Sequence, residues 1–288
     1  MKLWLILPAL LIATFATACA VVSPLRTFAT LVPKDGGSER SAAGIAYGAN
    51  DRQKLDIYVP TEGVQTGRPV IVWFYGGSWN SGSRQEYGFI GRALASRGFV
   101  TVIADYRLVP EVRFPGFVED GAAAVRWTRQ NIASYGGDGE RIVLGGHSAG
   151  AYIAAMLAND PRWLGDDRAA LKGMVGLAGP YDFVPFDVAA SMEAFGEWPD
   201  AADTQPITFA SANSPPHLLL TGETDDTVQP RNSDALAARL RDAGVVAQVI
   251  RYPDVEHINI MLALSRIRRG SAPVLDDVTA FAGRVTQR

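Results

Sequence analysis

Short, continuously apolar segments alternate along the chain with longer segments of helical spacing, and this alternation restricts the fold more than any other feature. Strands that are apolar along their whole length are buried on both faces of a sheet. Such strands separated by helices predict the α/β class, with a mostly parallel central sheet and helices on both faces. The predicted strands cover residues 54–59, 69–74, 99–104, 141–145, 173–177, 217–220 and 247–252, and the predicted helices cover about 84–97, 118–134, 149–159, 231–243 and 273–286.

The composition is that of one globular domain with a large core, because 48% of the 288 residues are hydrophobic and 20% are charged. The net charge of -3 leaves no broad cationic surface, so we expect no nucleic-acid partner. The sequence has no histidine pair at ligand spacing, no cysteine cluster and no phosphate-binding loop. We therefore expect neither a metal nor an organic cofactor.

The first residues have the pattern of a secretory signal peptide. Lys2 precedes an apolar run over residues 3–15, and small residues follow it. Thr14 and Thr17 interrupt the apolar character, whereas a membrane-spanning helix needs about 20 apolar residues. The sequence therefore predicts a signal peptide over residues 1–19 and an exported protein, periplasmic or secreted, with an uncleaved anchor as the alternative.

Cys19 is the only cysteine of the chain and lies where the apolar run ends. This position resembles the bacterial lipoprotein signal, in which the cysteine becomes the lipidated first residue. Ala16 stands where that signal usually has leucine, so ordinary cleavage after Ala18 or Ala20 is the alternative. We expect contact with a membrane only through such an N-terminal lipid anchor.

Residues 20–40 contain Pro24, Pro33 and a Gly-Gly pair and show no period that would bury a face, which predicts a linker. One domain is then expected over residues 41–288. The linker is too short for a large N-terminal cap. Between Gly179 and Ser214, about 35 residues with scattered aromatic side chains predict a short flap, so no large cap is expected.

The predicted strand 141–145 leads directly into Gly-His-Ser-Ala-Gly at residues 146–150, and a helical run follows. A serine on a sharp turn between strand and helix needs small neighbours, so that the backbone can pass close by and the hydroxyl can project above the sheet. The N-terminal N–H groups of the helix then point towards developing negative charge. The pattern favours Ser148 as a nucleophile over a glycine-rich helix entry used only for packing.

This motif, the Tyr-Gly-Gly-Ser-Trp segment at 75–79 and the Asp-Tyr-Arg-Leu segment at 105–108 together resemble the hormone-sensitive-lipase and bacterial carboxylesterase branch of the α/β-hydrolases. The resemblance covers roughly residues 45–288. It implies the α/β-hydrolase fold and an oxyanion hole formed by the N–H groups of Gly77, Ser78 and Ala149. Tyr75 replaces the histidine that is usual there. Trp79 is expected to line the substrate pocket, with plain core filling as the alternative.

A serine hydroxyl needs a base, and histidine has a suitable pKa. The chain has three histidines, His147, His217 and His257. His147 adjoins Ser148, and neighbouring side chains at a strand end point apart. His217 begins a strand at the amino side of the sheet. His257 follows the last predicted strand, and since the resemblance implies the order serine, acid, histidine, we predict His257 as the base.

The resemblance also implies an acid in the loop after strand 217–220, within the pattern Gly, two residues, Asp, two residues, Val. Counted from Gly222, this pattern selects Asp225, with Val228 three residues further on. Asp226 is the alternative if the loop is shifted by one residue. We expect it to be a turn residue that accepts hydrogen bonds from nearby backbone N–H groups.

Together these residues predict a serine carboxylesterase that cleaves small esters, with short acyl chains, through an acyl-serine intermediate. An arylformamidase or a peptidase would use the same triad, and the sequence does not separate these activities. A surface binding module with an inactive hydrolase fold is the alternative of another class. It is disfavoured because serine, acid and histidine are all present.

Overall fold

The computed structural model describes residues 23–63 and 66–287. These residues form one sheet of eight strands, which are β1 (Ser38–Ala46), β2 (Lys54–Pro60), β3 (Arg68–Phe74), β4 (Val100–Ala104), β5 (Gly137–His147), β6 (Leu171–Leu177), β7 (His217–Gly222) and β8 (Ala247–Tyr252). The strand order is β1-β2-β4-β3-β5-β6-β7-β8. β2 pairs antiparallel with β1 and β4, and the other pairings are parallel. The predicted mostly parallel α/β sheet is confirmed.

Helices cover the sheet on both faces. Phe74 points to the face that carries α3 and α4, whereas Gly173 lies against Phe281 of α9. None of the helices in the described part of the chain has the length and apolar character that crossing a bilayer requires. The helices are α1 (Pro24–Leu31), α2 (Gly88–Ala95), α3 (Gly116–Asn131), α4 (Ala149–Asn159), α5 (Pro161–Leu164), α6 (Ala189–Phe195), α7 (Arg231–Asp242), α8 (His257–Leu262) and α9 (Val274–Val285).

The structure differs from the predicted linker over residues 20–40. Residues 24–31 form α1, and β1 begins at residue 38. Pro24 lies in the first turn of α1, where no N–H is needed, and Ser23 caps the helix by accepting from Arg26 N–H. Phe28 packs edge-on against Phe89 of α2 at 5.5 Å. The proline that suggested a linker therefore marks the start of a packed helix.

Strand β1 was also absent from the sequence prediction. It is an edge strand whose side chains are mostly exposed. A strand of this kind needs no apolar run, because only one of its edges is paired and little of it is buried. An apolar run in the sequence therefore cannot be used to predict β1.

The segment between β6 and β7 is the short flap. It contains α6 and two short 3₁₀ turns, Ala201–Thr204 and Pro206–Phe209. Its aromatic side chains turn inwards: Phe195 is fully buried and packs against Phe114 and Phe117. The flap is thus tied to the domain by an aromatic cluster.

Candidate active site

Ser148 occupies a strained turn between β5 and α4. Its backbone has φ 54°, a left-handed conformation that side chains rarely adopt. A Cβ on Gly146 would lie 2.4 Å from the backbone of Gly150, and a Cβ on Gly150 would lie 2.1 Å from the carbonyl oxygen of Phe74. Both glycines are therefore required for the backbone to pass this closely. Ser148 N–H donates to Leu177 O at 2.9 Å, which ties the turn to β6.

The predicted serine, histidine and acid form one hydrogen-bonded row. Ser148 Oγ lies 2.9 Å from His257 Nε2, and His257 Nδ1 lies 2.8 Å from Asp225 Oδ2. All three residues are at most 9% exposed. They follow β5, β8 and β7 in turn, so the carboxyl ends of parallel strands bring them together.

The loop after β7 presents Asp225, and not Asp226, to His257. The second oxygen of Asp225 accepts from the N–H groups of Thr227 at 3.0 Å and Val228 at 2.8 Å. Asp226 is exposed and lies 3.5 Å from the Thr227 hydroxyl. The backbone bonds expected for Asp226 thus belong to Asp225. Because the turn holds this carboxylate in place, its other oxygen is fixed towards the imidazole.

The predicted oxyanion-hole donors lie on the loop after β3 and at the start of α4. Gly77, Ser78 and Trp79 have φ 136°, 52° and 60°, so the loop is left-handed at three consecutive positions. Gly77 O accepts from Asn80 and Ser81 N–H, which closes the turn. Within the described residues, the N–H groups of Gly77, Ser78 and Ala149 donate to no protein acceptor. They are thus free to bind an oxygen beside Ser148.

Tyr87 and His147 support this loop through hydrogen bonds, and no sequence pattern indicates either role. Tyr87 Oη accepts from Gly76 N–H at 3.0 Å and lies 2.8 Å from His147 Nδ1. His147 Nε2 lies 2.9 Å from the carbonyl oxygen of His257. A carbonyl only accepts, so Nε2 carries the proton and Nδ1 accepts from the Tyr87 hydroxyl. One chain of hydrogen bonds thus joins the oxyanion loop to the backbone of His257.

His147 is kept neutral by its surroundings. Burial, with a smaller contribution from the neighbouring His257, lowers the pKa of His147 to about 3. The two imidazole rings are 4.9 Å apart. As predicted, His147 does not serve the Ser148 hydroxyl, because its two ring nitrogens are hydrogen-bonded to Tyr87 and to the carbonyl oxygen of His257. A neutral His147 adds no positive charge beside the His257 ring.

Tyr75 has its own support at the position where histidine is usual. Its ring stacks on Tyr106 with centroids 4.5 Å apart, and the Tyr106 hydroxyl donates to Tyr75 O at 2.8 Å. Arg52 donates to the Tyr75 hydroxyl at 2.5 Å and to Gly82 O at 3.0 Å. The replacement therefore leaves the loop well held.

Ser148 opens onto two cavities. The larger, of about 530 Å³, is lined by Ser78, Trp79 and Ala149 and by flap residues such as Phe183 and Val188. The smaller, of about 410 Å³, is lined by Gly77, Ser78, His257 and Ile258 and by Ser23 and Leu25. Trp79 also packs against Tyr152, Phe183 and Phe195, so the core-filling interpretation is confirmed, while its contact with substrate stays a prediction. It is a cavity wall and part of the core.

The remaining candidates lie elsewhere. His217 is buried at the amino end of β7 and donates from Nδ1 to Pro215 O at 2.7 Å. Burial lowers its pKa to about 4. Over residues 23–63 and 66–287, no group of three or more His, Cys, Asp or Glu side chains could hold a metal ion. Cys19 lies outside the described residues.

A sequence model of the BD-FAE family matches residues 55–240. Carboxylesterase NlhH of Mycobacterium tuberculosis is 34% identical, with 86% of this chain and 82% of the relative covered. A probable isoprenylcysteine alpha-carbonyl methylesterase of rice, Oryza sativa, is 29% identical over 84% of this chain. Esterase LipC of M. tuberculosis is 30% identical over 68% of it. The chain spans 62% and 54% of the lengths of these last two relatives.

Solved structures have the same fold at low identity. A truncated carbohydrate esterase from gut microbiota superposes with a TM-score of 0.78 at 23% identity, over 89% of this chain and all of that one. The carboxylesterase EstE1, cloned from a metagenomic library, has a TM-score of 0.73 at 22% identity, over 92% of this chain and 94% of its own. The family match covers well over half of the sequence, and the solved structures agree in fold. The chain therefore belongs to the BD-FAE family and has the α/β-hydrolase fold.

Proposed function

We propose that the protein is a serine carboxylesterase that cleaves small esters through an acyl-serine intermediate. The observation that carries this proposal is the row Ser148, His257 and Asp225, with three unpaired N–H groups beside it. An activated serine requires a base in contact and an acid that orients the base. The esterase names of the relatives point to the same chemistry.

In the first step, Ser148 Oγ attacks the ester carbonyl carbon while His257 Nε2 takes its proton. The carbonyl oxygen becomes negative and accepts hydrogen bonds from Gly77, Ser78 and Ala149 N–H, which were free before the reaction. The bond to the alcohol oxygen then breaks, and His257 returns the proton to that oxygen. Water repeats the sequence on the acyl-enzyme, releasing the acid and restoring Ser148. Asp225 stabilises the imidazolium in both steps.

The proposal is tested by labelling with a fluorophosphonate, which reacts only with an activated serine, and by hydrolysis of p-nitrophenyl acetate. The native protein should be labelled and active, and Ser148→Ala should lose both. The control is Ser96→Ala, because the Ser96 hydroxyl bonds only to Ala93 O, remote from the site. Folded native protein that is neither labelled nor active would favour the inactive binding module instead.

We further propose that short acyl chains are preferred. The larger cavity, of about 530 Å³, is bordered by Trp79 and Phe183, whose ring centroids are 6.0 Å apart, and Trp79 packs in turn against Tyr152 at 5.5 Å. Methylenes that extend beyond the cavity stay in water and gain none of the roughly 0.8 kcal/mol available to each buried CH₂. With p-nitrophenyl esters of increasing acyl length, acetyl to hexanoyl esters should have the highest kcat/KM. A preference for dodecanoyl or longer esters would contradict this.

Export with an N-terminal lipid anchor is a separate proposal. It is supported by the sequence of the first twenty residues, in which an apolar run ends at the single cysteine, Cys19. The full-length native protein should partition with membranes, and Cys19→Ser should become soluble with unchanged kcat/KM. Native protein that is exported but fully soluble would refute the anchor alone.

A further inference from the structure

The two cavities at Ser148 differ in their relation to His257. His257 lines the smaller cavity and not the larger one. In acylation, His257 must give its proton to the oxygen of the leaving alcohol, which therefore has to come within hydrogen-bond reach of Nε2. The alcohol portion of the ester thus occupies the smaller cavity. The acyl portion extends into the larger cavity, past Ala149 and Trp79.

Helix α1 forms one wall of this smaller cavity. Ser23 and Leu25 line it together with Ile258 and Tyr87. Leu25 is partly buried and packs against the core. A half-covered leucine that borders a cavity leaves apolar surface for a ligand to cover.

The position of α1 is fixed by the folded domain. Ala29 and Val32 are buried, and Phe28 packs on Phe89. After the helix, Asp35 forms two hydrogen bonds with Arg269, at 2.9 and 3.1 Å. The wall is therefore a packed element at a defined distance from the catalytic row.

We propose that α1, through Leu25, selects the alcohol portion of the substrate and favours esters of bulky apolar or aryl alcohols. This inference rests on the proposed esterase function and adds the substrate class of its leaving-group side. Leu25, Ile258 and Tyr87 offer apolar contact to an aryl group, while a methyl group has too little surface to cover them. The flap, on the other side of Ser148, contacts only the acyl portion.

The test compares two esters of one acid, methyl butyrate and 2-naphthyl butyrate. Native protein should favour the naphthyl ester beyond the difference in their chemical reactivity, measured against hydroxide hydrolysis. Leu25→Trp fills the cavity and should lower kcat/KM for the naphthyl ester by about tenfold, with less than a twofold change for the methyl ester. Leu25→Ala removes contacts and should reduce the same preference, by about threefold. Leu31→Trp, on the exposed side of the same helix, should change kcat/KM for neither the methyl nor the naphthyl ester.

The deacylation rate distinguishes selection of the alcohol by Leu25 from a purely structural role of Leu25. Both esters give the same butyryl-enzyme, so its hydrolysis does not involve the alcohol, and the Leu25 variants should keep the native deacylation rate in burst experiments. A lower deacylation rate, an altered acyl-length ranking, or an unchanged ratio of the two esters in both variants would each overturn the inference. Native protein that hydrolyses neither ester would overturn the proposed function as well.

Discussion

The centre of the cleft and its walls are built in different ways. At the centre, Ser148, Asp225 and the Gly77 loop follow strand ends directly, and main-chain bonds or strained dihedrals fix each of them. The walls come from α1 and from the flap, which lie outside the sheet and contribute side chains. In the proposed esterase, the chemistry therefore depends on backbone geometry, whereas substrate choice depends on side chains. Substitutions should divide in the same way.

The largest expected effect is at the centre. His257→Ala removes the base and should lower kcat by about a million-fold, the scale of triad knockouts in another serine hydrolase. His217→Ala is the matched control, because His217 is also buried but its side chain hydrogen-bonds to Pro215 O, at the other end of the sheet from Ser148. It should keep kcat within about threefold and lose stability instead. Steady-state kinetics measures kcat and thermal unfolding measures stability. If His217→Ala lost as much kcat as His257→Ala, the assignment of His257 as the base would be wrong.

Asp225→Asn should follow, with kcat lower by about ten-thousand-fold, as for the same substitution in a serine protease triad. The neutral amide no longer stabilises the imidazolium. Asp226→Asn should cost less than tenfold, because its carboxylate is exposed and, among the described residues, hydrogen-bonds only with the Thr227 hydroxyl. If Asp226→Asn were the more damaging substitution, the register of this loop would be wrong by one residue.

Stability should fall in acid, through two histidines that the reaction does not titrate. Burial lowers the pKa of His217 to about 4 and that of His147 to about 3, while both titrate near 6.5 in the unfolded chain. Their stabilisation is complete above about pH 6.5 and is lost as the pH falls towards the folded values. Between pH 7 and 5, each should reduce the free energy of unfolding by about 2 kcal/mol.

Urea unfolding at the two pH values measures this loss. His217→Leu should show about half the native pH dependence while keeping the native pH profile of kcat/KM, because His217 is remote from Ser148. A pH dependence as steep as that of the native protein would show that His217 is not held neutral.

Tyr87→Phe tests the support beneath the centre. The change leaves Gly76 N–H and His147 Nδ1 without their buried partner, which should cost about 1–3 kcal/mol of stability. The loop should then present Gly77 and Ser78 less accurately, lowering kcat by about tenfold with little change in KM. Tyr47→Phe loses a bond to Asp105 O and should lose stability alone. Equal kcat values for the two variants would leave Tyr87 a structural residue only.

The centre could be predicted from the sequence because it depends on local backbone requirements. Gly146 and Gly150 are needed where backbones pass closely, and a family spacing from Gly222 selected Asp225. Even there, the sequence assigned the turn hydrogen bonds to the wrong aspartate. It could not tell which of two neighbouring carboxylates would accept them, because that depends on the path of the loop.

The walls and supports could not be predicted in the same way. Tyr87 lies 60 positions from His147 in the chain, and a local sequence pattern cannot predict a contact between residues so far apart in sequence. Pro24 favours a linker over residues 20–40 when it is interpreted as a helix breaker, whereas a proline is also a good first residue of a helix. The packing of residues 24–31 depends on Phe89, which is distant in sequence.

The smallest expected effect is in the flap wall. Val188 lines the larger cavity but is 57% exposed, so a bound acyl chain covers only part of it. Removing its methyl groups should therefore cost less than about 1 kcal/mol of contact. In Val188→Ala, kcat/KM for p-nitrophenyl hexanoate should fall by less than about threefold, while p-nitrophenyl acetate, which does not reach this wall, should be unaffected.

The control for this wall is Val246→Ala, since Val246 is 71% exposed and precedes β8, away from both cavities. Val246→Ala should leave kcat/KM unchanged for both esters. If Val188→Ala instead lowered activity on acetate as strongly as on hexanoate, the flap would act on the catalytic row as well as on the acyl chain. The flap would then influence catalysis itself and not only substrate preference, contrary to the division between the centre and the walls. At α1, the Leu25 variants would still show whether that wall affects substrate preference alone.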